Sequence, residues 1–440
     1  MDELRSELLD LYARTRRRTE QLAAPLSAED QTLQSMPSAS PVKWHRAHTT
    51  WFFETFVLAP RGVPPYDSRW GALFNSYYES LGSRHERPKR GLLSRPSAGD
   101  VAAYRAAVDD RVMELLHGAT AAVLTSLAPT LRLGVAHEEQ HQELVLTDIL
   151  HAFSENPLRP AYRIETHRAL PPSDRPVPRF VTFEGGLCTI GADEDEPFAF
   201  DNEGPRHKRW VEPFALADRL VTVGQVKAFI EDRGYQSPLL WLSEGYGFVQ
   251  AHGLVAPMHV RLEDDAWIVF GLDGERHARD DEPACHLSFY EADAIARWLG
   301  ARLPTEAEWE IAARLAQPVV PPREANFLDS EALRPLAVQG SRSGQGGPRE
   351  SEPTDANVRP IHQLYGDTWE WTRSSYDPYP FYRPSQGAIG EYNGKFMVSQ
   401  LVLRGGSCFT PARHVRPSYR NFWPPDTRFQ MTGARLAQDR

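Results

Sequence analysis

Two histidines one helical turn apart, His137 and His141, constrain this chain more than any other feature. They stand in Val135-Ala136-His137-Glu138-Glu139-Gln140-His141-Gln142-Glu143-Leu144. In a helix, positions i and i+4 share a face, so both imidazoles can hold one metal ion. The apolar run that follows, Leu144, Val145, Leu146, Ile149 and Leu150, packs the same helix into a core. The stretch reads H-E-x-x-H, the pattern of helical zinc hydrolases with a glutamate base. It reads equally as two thirds of a three-histidine iron site, or as a polar helix face with two solvated histidines.

The chain is long enough, at 440 residues, for two or three domains. Its 49 Lys+Arg against 59 Asp+Glu give a formal charge of −10, which argues against nucleic acid as a main partner. No apolar run approaches the roughly 18 residues of a membrane span. The acidic start Met1-Asp2-Glu3-Leu4 does not resemble a signal peptide. Cys188, Cys285 and Cys408 are far apart and odd in number, so a disulfide framework is not expected and a cytoplasmic location fits.

Hydrophobic periodicity predicts an amphipathic helix over residues 1–24, with Leu4, Leu8, Leu11 and Tyr12 inward and the arginines outward. The segment 42–58 is apolar nearly all round and predicts a buried helix. A long basic, aromatic loop follows over 60–91, then helical patterns over 99–127 and 130–153. Four helices with one long crossover predict a four-helix bundle over 1–156, a fold that builds metal sites from facing side chains. The prolines of 157–178 mark a linker. From 179 to 440 the texture is α+β. Short strands are expected at 180–183 and 185–191, and helices at 223–233, 288–299 and 305–316. A capping box runs from Thr305 to Glu308, and mostly irregular loop is expected from 320 onward.

A metal on His137 and His141 needs a third protein donor. Asp148 and His151 lie on the same helix. At about 100° per residue, His151 points about 80° away from His141 and almost three turns on, a poor ligand position. The second helix offers His45 and His48 among tryptophans and phenylalanines, and either could face the pair.

The stretch Ser40-Pro41-Val42-Lys43-Trp44-His45-Arg46-Ala47-His48, taken with His137-Glu138-Glu139-Gln140-His141, resembles the DinB-like bundle of the ergothioneine-biosynthesis sulfoxide synthases. The second half is similar to the fold of formylglycine-generating enzyme, a C-type-lectin-like architecture. It carries Leu303-Pro304-Thr305-Glu306-Ala307-Glu308-Trp309-Glu310, Gly366-Asp367-Thr368-Trp369-Glu370-Trp371, Leu403-Arg404-Gly405-Gly406-Ser407 and Gly433-Ala434-Arg435-Leu436. The resemblance spans essentially the whole chain. It implies a non-haem iron(II), O2-dependent enzyme with His48, His137 and His141 as ligands. Family members join a sulfur donor, cysteine or γ-glutamylcysteine, to C2 of the imidazole of hercynine, leaving a sulfoxide. Related selenoneine synthases use a selenosugar instead.

The resemblance also implies roles for single residues. Gln140 matches a residue bonded to the substrate imidazole, and Glu143 one near the trimethylammonium group. Asn421 with Phe422 and Trp423 matches the segment that holds the substrate carboxylate and quaternary ammonium, where many members carry Trp-Asp in place of Phe-Trp. One subgroup takes its proton donor from a tyrosine pair such as Tyr77-Tyr78. Other members place it in the C-terminal domain, where Tyr376, Tyr379 and Tyr382 are the alternatives. Arg84, Arg87 and Arg90 are candidates for the carboxylates of the sulfur donor, and Arg413, Arg416 and Arg420 for a second clamp. Oxidation of a protein cysteine, the formylglycine chemistry, calls for a cysteine pair after the R-G-G-S motif; this chain has Cys408 alone. A zinc hydrolase using Glu138 and a non-catalytic binding module remain the rival classes.

Overall fold

The computed structural model describes residues 2–164, 178–264, 266–316, 324–338 and 360–440. Most of the predicted linker lies outside the described residues. The chain divides into two units. The first comprises Met1–Arg163 with Pro384–Gly394, the second Ile164–Arg383 with Lys395–Arg440. The segment Pro384–Gly394 therefore belongs with the helices, where the sequence placed it in the second domain.

In the first unit, α1 (Asp2–Ala23), α2 (Val42–Phe53), α4 (Ala98–Gly118) and α5 (Ala121–Glu155) form the bundle, with a short α3 (Trp70–Phe74) in the crossover. Helix α1 packs on α5 and α4, and α2 packs on α5 and α4. Every residue of α2 is buried, as its all-round apolar text predicts, and one π-helical turn, Glu54–Leu58, extends it. The predicted boundary between the last two helices is displaced. Helix α4 stops at Gly118, Thr120 caps α5 by accepting the Val123 N–H, and Pro129 lies inside α5 rather than before it. The Thr120 hydroxyl sets the break, and the helix runs on through Pro129.

Two contacts fix how α5 sits. A Cβ at Gly134 would lie 2.6 Å from Phe53 Cε1 and 2.8 Å from Phe52 Cε1, so α2 and α5 approach closely only because that side chain is missing. One residue past His137, the fully buried Glu138 accepts from Arg16 at 2.8 Å, from Thr19 Oγ1 at 2.6 Å and from Arg105. Arg16 also reaches Asp109 at 2.6 Å and Thr50 Oγ1 at 2.9 Å, so one ion cluster joins all four long helices. Arg16 was expected on the outer face of α1. It is buried, because Glu138 and Asp109 supply its counter-charges.

The second unit runs through β1 (Phe180–Phe183), β2 (Gly186–Ile190), β3 (His207–Val211), β4 (Phe214–Leu220), α6 (Val223–Glu231), α7 (Ser243–His252), β5 (Val260–Glu263), β6 (Ala266–Gly271) and β7 (Gly274–His277). It continues with α8 (Phe289–Trp298), α9 (Glu306–Leu315), β8 (Trp369–Ser375), β9 (Leu401–Arg404), β10 (Asn421–Trp423), β11 (Thr432–Gly433) and β12 (Arg435–Asp439). The sheets are β1-β4-β12, β10-β9-β8-β11, the hairpin β2-β3 and the meander β5-β6-β7. The stretch expected to be loop after 320 contributes five strands, all short and paired with residues far along the chain. The motifs noted in the sequence meet in the interior. Arg404 reaches Glu306 and Glu310, both at 3.2 Å. Arg435 reaches Glu370 at 2.9 Å, and Trp309 Nε1 donates to the same carboxylate at 2.9 Å. No helix among the described residues is long and apolar enough to cross a membrane.

Gly134→Ala is expected to destabilise the protein by about 1–3 kcal/mol through overpacking against Phe52 and Phe53, read by denaturant unfolding. The two guanidiniums beside Glu138 overcome its burial and hold its pKa down at about 2, against roughly 4.3 in an unfolded chain. A lowered folded pKa stabilises above the unfolded value and loses that stabilisation as pH falls through the folded one. About 3 kcal/mol should therefore disappear between roughly pH 4.5 and 2. Glu138→Gln should flatten that part of the stability–pH curve.

Candidate metal centre

His48 of α2 meets His137 and His141 of α5, with one donor nitrogen from each ring within 4.8 Å of the others. His48 Nε2 and His137 Nε2 are 3.1 Å apart. Each ring is oriented from behind or from the side. Trp44, His48 and Trp51 share one face of α2, and the His48 ring stacks with Trp44 at 4.6 Å and Trp51 at 5.7 Å, both 16° from parallel. His48 Nδ1 sits 2.5 Å from the Phe74 carbonyl, an acceptor, so Nδ1 carries the proton and Nε2 the lone pair. The His137 ring lies against Phe52 at 4.9 Å, and its Nδ1 has no partner among the described residues. His141 Nδ1 is 2.7 Å from His45 Nδ1, and His45 Nε2 is 3.0 Å from Asp148. The choice left open by the sequence is thus resolved in space: His48 joins the pair, and His45 stands behind it.

Burial drives the pKa of His48 and of His141 well below the usual imidazole value, and that of His137 to about 3. Three neutral imidazoles converge where a proton is disfavoured. That donor set fits a divalent transition-metal ion, which takes neutral histidine nitrogens and needs no counter-charge from them.

Glu138 takes no part. Both of its oxygens are engaged by Arg16, Arg105 and Thr19 on a different face of α5, which removes it as a hydrolytic base. Gln140 does border the cluster, because its Oε1 accepts the phenol of Tyr392. The Tyr392 ring lies 5.5 Å from His137 and 5.8 Å from Tyr77. Tyr392 was missed by sequence reasoning. It comes from a glycine-flanked turn, Gly390-Glu391-Tyr392-Asn393-Gly394, with no periodicity to mark it. Glu391 pins that turn by accepting the N–H groups of Glu79 at 2.9 Å and Ser80 at 3.1 Å.

The Tyr77 and Tyr78 rings lie 4.7 Å apart, tilted by 34°, and Tyr78 packs on Trp51 and Phe56, fully buried. Burial raises both phenols above their usual range. The Tyr392 ring meets the His137 ring edge-on. Glu143 is buried on α5. Arg84 is exposed and paired with Glu79 at 2.7 Å. Arg87 is exposed and makes no ion pair among the described residues. Arg90 is buried, 3.4 Å above the Trp44 ring, bonded to Ser40 and Ser76 hydroxyls. Burial and the nearby Arg87 and Arg84 pull its pKa down to about 8.

In the second unit, Asn421 Oδ1 accepts the Phe422 N–H at 2.8 Å, Phe422 stacks on Tyr376 at 3.9 Å, and Trp423 meets Phe429 edge-on. Arg420 departs from the expected carboxylate clamp. Its guanidinium is buried on Glu306 at 3.0 Å and donates to the carbonyls of Asn202 and Asp377. A side chain so fully committed to the protein is an internal tie. Arg416 is likewise tied to Glu203. The phenols of Tyr376, Tyr379 and Tyr382 are engaged by Asn202, Arg404 and Asp201.

Helical bundle plus irregular α+β unit, with a three-histidine cluster in the bundle, defines a two-module class of metal-site protein. Residues 11–145 match the DinB superfamily model, and residues 166–440 match the sulfatase-modifying factor enzyme 1-like domain. The chain is 32% identical to hercynine oxygenase of Mycolicibacterium smegmatis over 99% of both proteins. It is 33% identical to hercynine oxygenase of Mycolicibacterium thermoresistibile over 99% of this chain and 95% of that one. Formylglycine-generating enzyme of Thermomonospora curvata is 28% identical over 59% of this chain and 93% of its own length. The chain belongs to the hercynine oxygenases, the ergothioneine-biosynthesis sulfoxide synthase family.

Glu138→Gln keeps a side-chain oxygen for Arg16 and Arg105, so the folded, metal-free variant is expected still to bind one divalent ion such as Co2+, while His48→Ala and His137→Ala lose high-affinity binding. Calorimetric titration checks this, and loss of binding in a Glu138→Gln variant whose helical content and unfolding midpoint are unchanged would restore a metal-site role for that carboxylate.

Proposed function

We propose that this chain is a non-haem iron(II), O2-dependent oxidoreductase. In this reading it joins a sulfur donor, cysteine or γ-glutamylcysteine, to C2 of the hercynine imidazole with sulfoxide formation. The observation that carries the reading is the neutral, buried triad His48–His137–His141 in a chain similar to hercynine oxygenases over its full length. Bound iron(II) supplies the O2 chemistry; the protein binds and orients the substrates and handles protons.

The roles follow from the side chains. Gln140 accepts the Tyr392 phenol through its carbonyl oxygen, and a carboxamide N–H is chemically the complement of an imidazole nitrogen lone pair. Tyr392 is the phenol beside His137 and is assigned the proton-handling role first given to Tyr77 or Tyr78, which back it. Arg87, exposed and without an ion pair among the described residues, is assigned the donor carboxylate. Arg90 holds Trp44 flat and adds positive potential. Asn421, Phe422 and Trp423 remain the candidates for the hercynine carboxylate and trimethylammonium group, with aromatic faces suited to a quaternary cation. Glu143 is the candidate carboxylate for the same cation.

Aerobic incubation of iron-loaded protein with hercynine and each donor, read by mass spectrometry, should give a sulfoxide product. No product with any donor would sink the proposal, and a product with a selenosugar alone would make the chain a selenoneine synthase. Tyr392→Phe should lower kcat by about a hundredfold or more, as for loss of a general acid. Tyr77→Phe should cost far less; the reverse order would return the role to the tyrosine pair.

A further inference from the structure

The side chains behind the cluster connect two of its histidines in one unbroken path. His141 Nδ1 meets His45 Nδ1 at 2.7 Å, and His45 Nε2 meets Asp148 Oδ2 at 3.0 Å. The same carboxylate oxygen accepts the Ser40 N–H at 2.8 Å. The Ser40 hydroxyl accepts from Arg90 at 2.9 Å, Arg90 covers Trp44 at 3.4 Å, and Trp44 stacks on His48 at 4.6 Å. Ser40, His45, Asp148, Arg90 and Trp44 are all buried.

We propose that Asp148 and His45 are positioning residues that fix His141 in the tautomer with its lone pair on Nε2. The inference rests on His48, His137 and His141 being a metal site. Asp148 Oδ2 already accepts the Ser40 N–H, and the same oxygen faces His45 Nε2, so in a neutral His45 ring that nitrogen carries the proton. His45 Nδ1 is then a lone pair. A 2.7 Å contact between two Nδ1 atoms needs one proton, and only His141 can supply it. His141 Nε2 is left deprotonated and able to ligate. Without Asp148, His45 can carry its proton on Nδ1 instead and donate it. His141 would then bear its proton on Nε2, where a metal must bind. His48 is set separately by the Phe74 carbonyl. Carboxylate–histidine pairs behind metal ligands act in this way, and losing one costs roughly 10–100-fold in metal affinity.

Two measurements test this on the full chain. In metal-free protein labelled with 15N-histidine, His141 should show a protonated Nδ1 and a bare Nε2; in Asp148→Ala the two tautomers should mix. Anaerobic Co2+ titration, followed by visible absorption, should show affinity roughly 10–100-fold weaker in Asp148→Ala and in His45→Phe. Asp148→Asn keeps an oxygen for the His45 and Ser40 N–H groups and should recover most of the loss, which also decides the matter if Asp148→Ala does not fold. Unchanged affinity in the His45 and Asp148 variants, or an Nε2-protonated His141 in the unaltered protein, would overturn the proposal. Failure of the unaltered protein to bind Co2+, or undiminished binding by His137→Ala, would instead overturn the metal-site reading beneath it.

Discussion

The carboxylate of Glu138, buried between Arg16 and Arg105, sets the rotation of α5, and the metal centre depends on that rotation. Two i,i+4 pairs interleave on this helix. Glu138 and Gln142 face α1, where Gln142 donates to the Thr15 carbonyl and to Thr19 Oγ1. His137 and His141 face α2 and meet His48. The Glu138 carboxylate cannot turn inward without stranding two buried guanidiniums, a cost of about 3–5 kcal/mol for a broken buried ion pair. A cluster of this kind need not add net stability over an apolar core, but it permits one orientation of the helix. Gly134 then lets α2 come close enough for His48 to complete the triad.

The same arrangement separates the two chemistries that H-E-x-x-H could serve. A hydrolytic base must face the metal and titrate near neutrality, whereas this glutamate faces away and is held near pKa 2 by arginines. What the three histidines have around them is apolar: Trp44 and Trp51 on either side of His48, and Phe52 against His137. Desolvation keeps the rings neutral, and the hydrogen bonds that His48 donates to the Phe74 carbonyl and His141 to His45 Nδ1 decide which nitrogen of each is bare.

The pair on α5 and the buried text of α2 were legible because helical periodicity writes them into adjacent residues. The choice of His48 over His45 came from the family resemblance and not from the local pattern, since it turns on a rotation about α2 that packing fixes. The second unit was harder to read. Its strands are a few residues long, and outside the hairpin β2-β3 and the meander β5-β6-β7 they pair across larger sequence separations, as β12 does with β4, so little local patterning remains. The motifs that carried the family likeness there proved to be its internal ties: Arg404 with Glu306 and Glu310, and Arg435 with Glu370. Arg420 read as a ligand clamp because an arginine near aromatic residues looks the same in sequence whether it faces a substrate or a buried Glu306.

Tyr392 shows the limit most clearly. Its phenol reaches Gln140 across 252 residues of sequence, and nothing near either residue encodes the meeting. What holds it is a capping-like contact. The Glu391 carboxylate takes the backbone N–H groups of Glu79 and Ser80, and the Ser80 hydroxyl at 2.6 Å, just past the Tyr77-Tyr78 pair. A backbone donor pair binds a carboxylate in any loop that offers it, so the sequence requirement is one acidic residue at one position. That economy is why the segment Pro384–Gly394 can join the helical unit although the chain on both sides belongs to the other. It also makes the position of the phenol beside His137 depend on the fold of the 77–81 loop, so that loop and the metal cluster are parts of one device.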